Sequence, residues 1–366
     1  MDTTAPKLLF DEKGVCEYCN NYYDNILPNW HPNKHGKELF APILEKIKKK
    51  GKNNNHDCLI GVSGGADSSY LVHLATEKLG LRPLVFHVDA GWNSQISTNN
   101  IARIIDGLGL DLYTEVIDWN EMMDLQLAFF KAQVPHLDAP QDHVFFASLY
   151  NFAVKNKIKY ILTGGNYSTE CVREPLDWIY HASDLRQLKD IHKRYGVVPL
   201  SSYPTADIFK HKIYYRYFKG LRIVKPLDYF PYNKDEAMME LKEKYDWIPY
   251  KHKHYESRFT RFFEGYWLPN KFGYDKRKTH FSSLILTKQM QREDALKELL
   301  EPAYSPDEMK KDFEFVAKKL GLNKNSLQKL MDGNNKTYKD YKNNMFAINL
   351  GVNISTFFNL NHQIFK

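Results

Sequence analysis

Short apolar runs alternate with stretches of helical spacing through the middle of the chain. Runs that are apolar on both faces are typical of parallel strands covered by helices on each side. The pattern therefore predicts an α/β fold, a doubly wound parallel five-stranded sheet between residues 57 and 235. The predicted strands are Cys58–Val62, Pro83–Val88, Asp111–Ile117, Tyr160–Thr163 and Leu221–Val224.

The segments on either side of this predicted sheet differ from it in pattern. Residues 1–56 form a predicted accessory segment, with helical spacing at Leu39 to Ile47 followed by a lysine- and asparagine-rich linker. Residues 236–366 are mainly helical in composition, and Ser305 before Pro306 is typical of an N-cap with proline at the first helical position. The sequence thus predicts three parts, 1–56, 57–235 and 236–366.

A glycine-containing turn, Ser63-Gly64-Gly65-Ala66-Asp67-Ser68, follows the first predicted strand and precedes a helix. A strand, a tight turn and a helix N-terminus make an anion site, because unpaired N–H groups and the helix dipole converge there. Gly64 and Gly65 let the backbone approach a ligand, and Ser63 and Ser68 add hydroxyl donors. Asp67 would lie in the first helical turn, where it can cap the helix or help to hold Mg²⁺.

Further candidate nucleotide contacts follow two other predicted strands. Ligands of a doubly wound sheet bind beyond the carboxyl ends of the strands, at the switch point. His87 and Val88 at the end of the second strand would hold adenine through backbone groups. A second glycine pair, Gly164-Gly165, precedes Asn166 after the fourth strand and would let backbone approach phosphate.

Two further residues each allow a functional and a structural interpretation. Asp142, in a polar loop that opens a helix, either lies at the mouth of the ligand crevice or caps the helix. Cys171 is either a nucleophile or a small core residue. No histidine is paired with it in the sequence, which favours the core interpretation.

Cys16 and Cys19 form a C-x-x-C, a spacing that lets two thiolates share one Zn²⁺. A structural zinc site normally needs four ligands, and His31 and His35 are nearby candidates. Four cysteines at uneven spacing do not make a disulfide framework. A pair of half-buried free thiols is the favoured interpretation, with zinc as the alternative.

The net charge and the composition indicate which classes of ligand the chain could bind. The net charge of +7 suits phosphorylated or acidic ligands, but it is too modest to demand nucleic acid. Two basic stretches with interleaved aromatics, Phe209–Tyr217 and Lys251–Lys278, could grip RNA or a sugar nucleotide. No apolar run is long enough to cross a bilayer and no signal pattern is present, so we expect a cytoplasmic protein.

The turn S-G-G-x-D-S resembles the PP-loop of the N-type ATP pyrophosphatases, which have an adenine nucleotide alpha hydrolase-like fold. Neither G-x-x-x-x-G-K-[ST] nor G-x-G-x-x-G occurs in the sequence. Over nearly its full length the chain resembles one PP-loop family, the N-acetyl sugar amidotransferases of bacterial surface polysaccharide and nonulosonate pathways. The segments that carry this resemblance are Met1–Thr4, Phe10–Cys16 with Cys19, Ser63–Ser68, Gly164–Asn166 with Glu170 and Cys171, and Phe272–Arg277. Relatives often carry another C-x-x-C before the segment that begins here at Met1, and its absence leaves a zinc site short of cysteines.

The resemblance implies an ATP- and Mg²⁺-dependent reaction. The acetamido oxygen of a sugar, free or nucleotide-activated, would attack the α-phosphate of ATP, and pyrophosphate would leave. Ammonia would then displace AMP to give an acetamidine. Residues 63–68 would hold pyrophosphate and Mg²⁺, and the implied catalytic residues are Asp67, Lys225 and Lys234. The implied sugar contacts are Asp142, Glu170, Tyr274, Lys276 and Arg277.

The resemblance also implies that ammonia comes from a glutaminase acting with a channelling subunit. One glutaminase class uses an N-terminal cysteine, whereas Asp2 occupies that place here. The other class places its cysteine in a glycine-flanked elbow, and neither Cys58 nor Cys171 has such flanks.

Two alternatives remain open at the level of sequence. A tRNA-modifying PP-loop enzyme, a thiolase or a lysidine-type ligase, would explain the C-x-x-C and the positive charge, but not Phe272–Arg277. A nucleotide-binding sensor would keep the loop without turnover. An assay of AMP formation distinguishes the three functions. An amidotransferase forms AMP with an acetamido sugar, a tRNA-modifying enzyme forms it only with tRNA, and a sensor forms none.

Overall fold

A parallel sheet lies at the centre of the chain. The computed structural model describes residues 1–2, 5, 7–250, 253, 255–303 and 305–357, and within them the sheet has five strands in the order β3-β2-β1-β4-β5. The strands are β1 Cys58–Gly61, β2 Pro83–Asp89, β3 Leu112–Val116, β4 Tyr160–Leu162 and β5 Arg222–Val224, all paired in parallel. The strand order runs outward in both directions from β1 and β4, which places the topological switch point between them. The predicted doubly wound α/β fold is confirmed.

Helices cover both faces of this sheet and make up most of the chain beyond it, so the predicted helical C-terminal region is also confirmed. The α-helices are α1 Glu17–Asn21, α2 Lys34–Gly51, α3 Ala66–His73, α4 Gln95–Leu108, α5 Trp119–Ala132, α6 Ala139–Lys155, α7 Tyr167–Glu170, α8 Leu185–Tyr195, α9 Lys234–Tyr245, α10 Arg258–Phe262, α11 Leu268–Phe272, α12 Arg277–Leu286, α13 Arg292–Leu300, α14 Pro306–Lys319, α15 Lys324–Met331 and α16 Met345–Phe357. The π-helical turns are Tyr22–Ile26, Leu74–Lys78, Lys210–Phe218 and Phe263–Trp267. The 3₁₀ turns are Leu27–Asn29, Pro226–Asp228 and Tyr338–Asp340.

Neighbouring residues of β1 face two separate cores. Leu59 packs in the core that contains residues of α5, α6 and α10, whereas Cys58 and Ile60 pack in the core formed with α2, α3, α4 and α9. All three side chains are fully buried. Because both faces of the strand are covered, its sequence is continuously apolar rather than alternating, which made the strand recognisable.

The flanking segments agree with several expectations. The helical spacing at Leu39 to Ile47 lies within α2, and α14 begins at Pro306 after Ser305, whose hydroxyl accepts the Glu308 N–H at 3.2 Å. The three-part division stays a prediction, and α9, which crosses its boundary at residue 235, packs against α3.

Some residues of the predicted motifs lie outside the described part of the chain. They are Thr3, Thr4, Lys251, His252 and His254. Among the residues that are described, no helix combines the length and the apolar character needed to cross a lipid bilayer.

Candidate active site

The turn after β1 has the geometry of an anion-binding loop. Gly64 has a φ of +81°, a conformation that side chains disfavour, and an added Cβ would lie 2.7 Å from the backbone oxygen of Ser97. Gly65 is the N-cap of α3, whose first-turn N–H groups have no acceptor within the helix. The Ser68 hydroxyl accepts the Ser63 N–H at 3.3 Å, which ties the turn to the helix. The predicted strand–turn–helix unit is therefore present, with Gly64 directed at Ser97 rather than at the cavity described below.

The second glycine pair lies against this turn. An added Cβ at Gly164 would lie 3.0 Å from the backbone carbon of Asp67 and 3.0 Å from the nitrogen of Ser68. The loops after β1 and β4 thus touch without a side chain between them. Asn166 lines the cavity, and its side chain caps α7 by accepting the Thr169 N–H at 2.9 Å and donates to the Gly164 carbonyl at 2.9 Å. Its contact with the nucleotide stays a prediction.

His87 braces the same turn from β2. Its ring lies between the Val62 carbonyl, 2.9 Å from Nδ1, and the Asn93 side-chain amide, 2.9 Å from Nε2. A carbonyl only accepts and an amide NH₂ only donates, which assigns the ring proton to Nδ1. His87 and Val88 both line the cavity, and their contact with adenine stays a prediction.

Two carboxylates near the turn share one cation. The Lys253 Nζ lies 2.5 Å from Glu170 Oε1 and 3.4 Å from Asp67 Oδ2, while the Tyr232 hydroxyl donates to the other Asp67 oxygen. Burial alone would lower the pKa of Lys253, but Glu170 and Asp67 outweigh it and raise that pKa. Asp67 therefore does not cap α3. Carboxylate oxygens are ligands that Mg²⁺ prefers, so this donor set fits the metal that the PP-loop resemblance implies.

Both predicted lysines line the same end of the cavity. The Lys225 Nζ lies 3.7 Å from the position of an added Cβ at Gly165 and 5.9 Å from the centre of the Tyr167 ring. Burial lowers the pKa of Lys234, which also lies near Asp67 and Lys253. The structure thus brings both lysines near the glycine loops, and their catalytic role stays a prediction.

Glu256 is a site residue that the sequence did not reveal. Its Oε1 accepts a hydrogen bond from the Ser63 hydroxyl at 2.9 Å and would lie 2.7 Å from a Cβ added at Gly65. Burial raises the pKa of this carboxyl group. Glu256 and Ser63 are separated by 193 positions, and no local pattern marks a contact of that range.

One cavity of about 1400 Å³ extends from this turn to a second polar region. In that region the Lys276 Nζ lies 2.5 Å from Glu264 Oε1 and 3.4 Å from Glu174 Oε1. Burial would lower the pKa of Lys276, but Glu264 and Glu174 outweigh it and raise that pKa. Ligand pockets are typically about 300–1,000 Å³, so this volume suits two ligands side by side.

The second polar region also includes residues at the start of α6. Asp138, not Asp142, holds the N-cap position of α6, so the cap interpretation of Asp142 is wrong. Asp142 instead lies 3.1 Å from His136 Nε2, and both line the cavity.

Of the other predicted sugar contacts, Arg277 lines the cavity and Tyr274 does not. Arg277 lines the cavity, but its guanidinium is held by Asp275 at 2.7 Å and by backbone carbonyls of α13 and the residue after it. Tyr274 does not line the cavity and stacks on Trp178 with ring centres 5.1 Å apart.

The cysteines have the environment of unreactive thiols. The sulfur atoms of Cys16 and Cys19 lie 3.5 Å apart, and burial raises the pKa of Cys19 to about 11. Burial likewise raises the pKa of Cys171 to about 11. Within the described part of the chain no group of three or more His, Cys, Asp or Glu side chains is arranged to hold a metal ion, so zinc stays a prediction.

One family of known proteins is similar in sequence to part of this chain. Residues 256–355 match the family described as LPS biosynthesis protein WbpG-like, C-terminal domain. No curated protein matches the chain in sequence.

Solved structures resemble it only distantly. NMN synthetase from Francisella tularensis is 16% identical, with 58% of this chain and 71% of that chain covered and a TM-score of 0.33. NH3-dependent NAD synthetase from Campylobacter jejuni subsp. jejuni NCTC 11168 is 16% identical, with 82% and 98% covered and a TM-score of 0.32. The U34-tRNA thiolase NcsA from Methanococcus maripaludis is 16% identical, with 72% and 81% covered and a TM-score of 0.33.

Proposed function

We propose that this chain, whose residues 256–355 match the family described as LPS biosynthesis protein WbpG-like, C-terminal domain, is an ATP-dependent amidotransferase. It converts an acetamido group of a nucleotide-activated bacterial sugar into an acetamidine, and it forms AMP and pyrophosphate. The acetamido oxygen is first adenylated, and ammonia then displaces AMP. A neutral amide is a poor electrophile, so adenylation supplies the leaving group that ammonia needs.

The contact between Glu256 and Ser63 carries this proposal. Glu256 is the first residue of the family match, and Ser63 begins the PP-loop-like turn. Their hydrogen bond of 2.9 Å joins the LPS-related part of the chain to the nucleotide end of one cavity. This contact supports a site in which the turn proposed to bind ATP and a segment similar to an LPS biosynthesis protein line one cavity, as a reaction between ATP and a sugar requires.

The nucleotide end offers donors and cations for the phosphates. Ser63, Gly65 and Ser68 would bind pyrophosphate through hydroxyl and N–H groups at the start of α3. Asp67 and Glu170 would hold Mg²⁺, which neutralises phosphate charge when bound. The ammonium that now lies between these two carboxylates would then be free to pair with a phosphate oxygen.

The second region offers groups for the acceptor. Glu174 and Glu264 can accept hydrogen bonds from sugar hydroxyls, and Lys276 between them can donate one. Holding the acetamido oxygen beside the α-phosphate converts a bimolecular step into one between fixed partners, which is a large part of what such a site contributes.

The ammonia is proposed to come from a partner glutaminase with a channelling subunit. Burial raises the pKa of Cys58 and of Cys171, so both are neutral thiols rather than nucleophilic thiolates. Neither has the environment of a glutaminase nucleophile.

The test is an AMP assay on the purified chain with ATP, Mg²⁺ and ammonium. Separate reactions contain a UDP-linked acetamido sugar, a CMP-linked acetamido sugar, tRNA, or no acceptor. AMP that forms only with an acetamido sugar, together with an amidine seen by mass spectrometry, supports the proposal. AMP that forms only with tRNA would assign the chain to tRNA modification, and no AMP with any acceptor would favour a sensor.

A further inference from the structure

Asp138 is a buried carboxylate of the second region, at the start of α6. It holds the N-cap position of α6, yet its side chain makes no capping hydrogen bond. Two other N-cap aspartates do cap: Asp118 accepts the Glu121 N–H at 3.0 Å and Asp184 accepts the Arg186 N–H at 3.0 Å. The backbone of Asp138 has helical angles (φ −77°, ψ −7°), unlike the non-helical angles of a capping residue, so its side chain is directed away from the first N–H groups of α6.

The carboxylate of Asp138 is instead turned into the cavity. Its side chain is 7% exposed and lines the cavity. Its Oδ1 accepts from the Gln141 side-chain amide at 2.6 Å, and the nearby Thr260 hydroxyl acts to lower the pKa of the same carboxyl group. The bond from Gln141 orients this buried carboxylate.

A stripe along the cavity wall relates Asp138 to the nucleotide end. Glu256, Thr260 and Glu264 are spaced by four residues and all line the cavity. Glu256 contacts the turn at Ser63, and Thr260 lies near Asp138. Asp138 and the turn at Ser63 therefore line one cavity, whose volume of about 1400 Å³ leaves room for an acceptor group between a phosphate on that turn and this carboxylate.

We propose that Asp138 is the proton acceptor for the acetamido N–H of the sugar, with Gln141 and Thr260 as its positioning residues. This inference rests on the proposed function. As the O–P bond forms between the acetamido oxygen and the α-phosphorus, the bond from that phosphorus to pyrophosphate breaks. The N–H electron pair becomes the C=N bond of a neutral imidate, and the proton passes to Asp138.

The Asp138 carboxylate also transfers protons in the second half of the reaction. Ammonia adds to the imidate carbon, and the C=N electron pair takes the proton back from Asp138. The added nitrogen then gives one proton to the carboxylate as AMP leaves, which yields the amidinium, and that proton passes to solvent.

The surroundings of Asp138 shift its pKa in the direction that suits a general base. Burial raises its pKa, the carboxylates of Asp142 and Glu264 raise it further, and Lys276 and the Thr260 hydroxyl act in the opposite direction. His136, paired with Asp142, and Glu174, beside Lys276, are further titratable groups of this wall. A base whose pKa approaches the working pH accepts a proton efficiently and can return it.

The experiment compares wild type with Asp138→Asn, which keeps the shape of the side chain but removes the proton acceptor. With ATP, Mg²⁺ and the acetamido sugar, we expect pyrophosphate release to fall roughly 10²–10⁴-fold. We expect the ATP dissociation constant, measured by calorimetry, to stay within about twofold because Asp138 does not touch the phosphate loop. The matched control is Asp118→Asn, the N-cap of α5 outside the cavity, which should keep the wild-type rate.

A pH profile separates a base from a structural group. Wild-type pyrophosphate release should rise with pH through the raised pKa of Asp138, and this acid limb should disappear in Asp138→Asn. Thr260→Val, which removes one positioning hydrogen bond, should lower the rate by roughly five- to tenfold without removing the limb.

The outcomes distinguish this inference from the function on which it rests. Acceptor-dependent pyrophosphate release by wild type, with Asp138→Asn equally active or with an unchanged acid limb, would overturn the role of Asp138 alone. No release by wild type with any acetamido sugar would overturn the proposed function and this role together.

Discussion

The Glu256 carboxylate accepts a hydrogen bond from the Ser63 hydroxyl at 2.9 Å, inside a loop whose N–H groups and helix dipole favour anions. A carboxylate of the protein therefore lies where a phosphate of ATP is proposed to bind. The contact joins the predicted nucleotide loop to the first residue of the segment that matches the WbpG-like family.

Glu256→Gln should strengthen the binding of pyrophosphate measured without Mg²⁺. The variant keeps a hydrogen-bonding side chain but removes a negative charge that repels phosphate, so we expect a gain on the order of tenfold. Calorimetry measures the dissociation constant. Glu314→Gln, an exposed glutamate on α14, is the control and should bind as wild type does. Equal affinity in Glu256→Gln and wild type would contradict the assigned phosphate position.

Ser63→Ala and Asp67→Asn should each slow pyrophosphate release by roughly 10²–10³-fold. The first removes a preorganised hydroxyl donor, and the second removes a carboxylate charge proposed for Mg²⁺. Single-turnover kinetics with the acetamido sugar measure the step. If both variants release pyrophosphate at the wild-type rate, the site assignment is wrong.

Gly64→Ala should lower both stability and ATP affinity. The residue has a φ of +81°, and the new Cβ would lie 2.7 Å from a backbone oxygen. Gly220→Ala is the matched control, because Gly220 has a φ of +65° but nothing within 4 Å of an added Cβ. We expect about 1 kcal/mol of destabilisation from φ in the control and more at Gly64, where backbone must also move. Urea unfolding provides the comparison.

Stability should depend on Glu121 in acid. Burial would raise the pKa of this carboxyl, but bonds from the Ser201 hydroxyl and from the N–H groups of Ser201, Ser202 and Tyr203 outweigh it and lower the pKa to about 2. Because the folded pKa lies below the usual 4.5, this contribution is complete above about pH 4.5 and is lost as the pH falls toward 2. The difference in unfolding free energy between wild type and Glu121→Gln should therefore shrink between pH 6 and pH 3, within the range where the protein stays folded. A difference that is constant with pH would contradict the assignment.

The purified chain should make amidine with high ammonium at raised pH, and not with glutamine alone. Most free ammonia is ammonium at neutral pH, so a raised pH supplies more of the nucleophile. Mass spectrometry of the sugar product measures the outcome. Glutamine-dependent turnover by the isolated chain would rule out the dependence on a partner glutaminase.

Local pattern was sufficient for the fold and for part of the site. Parallel strands that are covered on both faces leave continuous apolar runs, and these predicted all five strands within a residue or two of their ends. The turn from Ser63 to Ser68 was recognisable because the strand, glycines and helix are consecutive in the chain. The approach of Gly164 to Asp67 followed from the sheet rule, since the carboxyl ends of parallel strands share one edge.

Only the tertiary structure decided which distant side chains complete the site. Glu256 and Ser63, 193 positions apart, meet because α10 packs on the face of the sheet that carries Leu59. Asn166 became a helix cap and Tyr274 a packing residue, because hydrogen bonds and ring contacts with their neighbours took up those side chains. Asp138 is a further case: the sequence analysis did not single it out, and the structure places it at the start of α6 on the cavity wall. Spacing along the chain determines which backbone forms each element, whereas the direction of a side chain depends on contacts that the spacing does not contain.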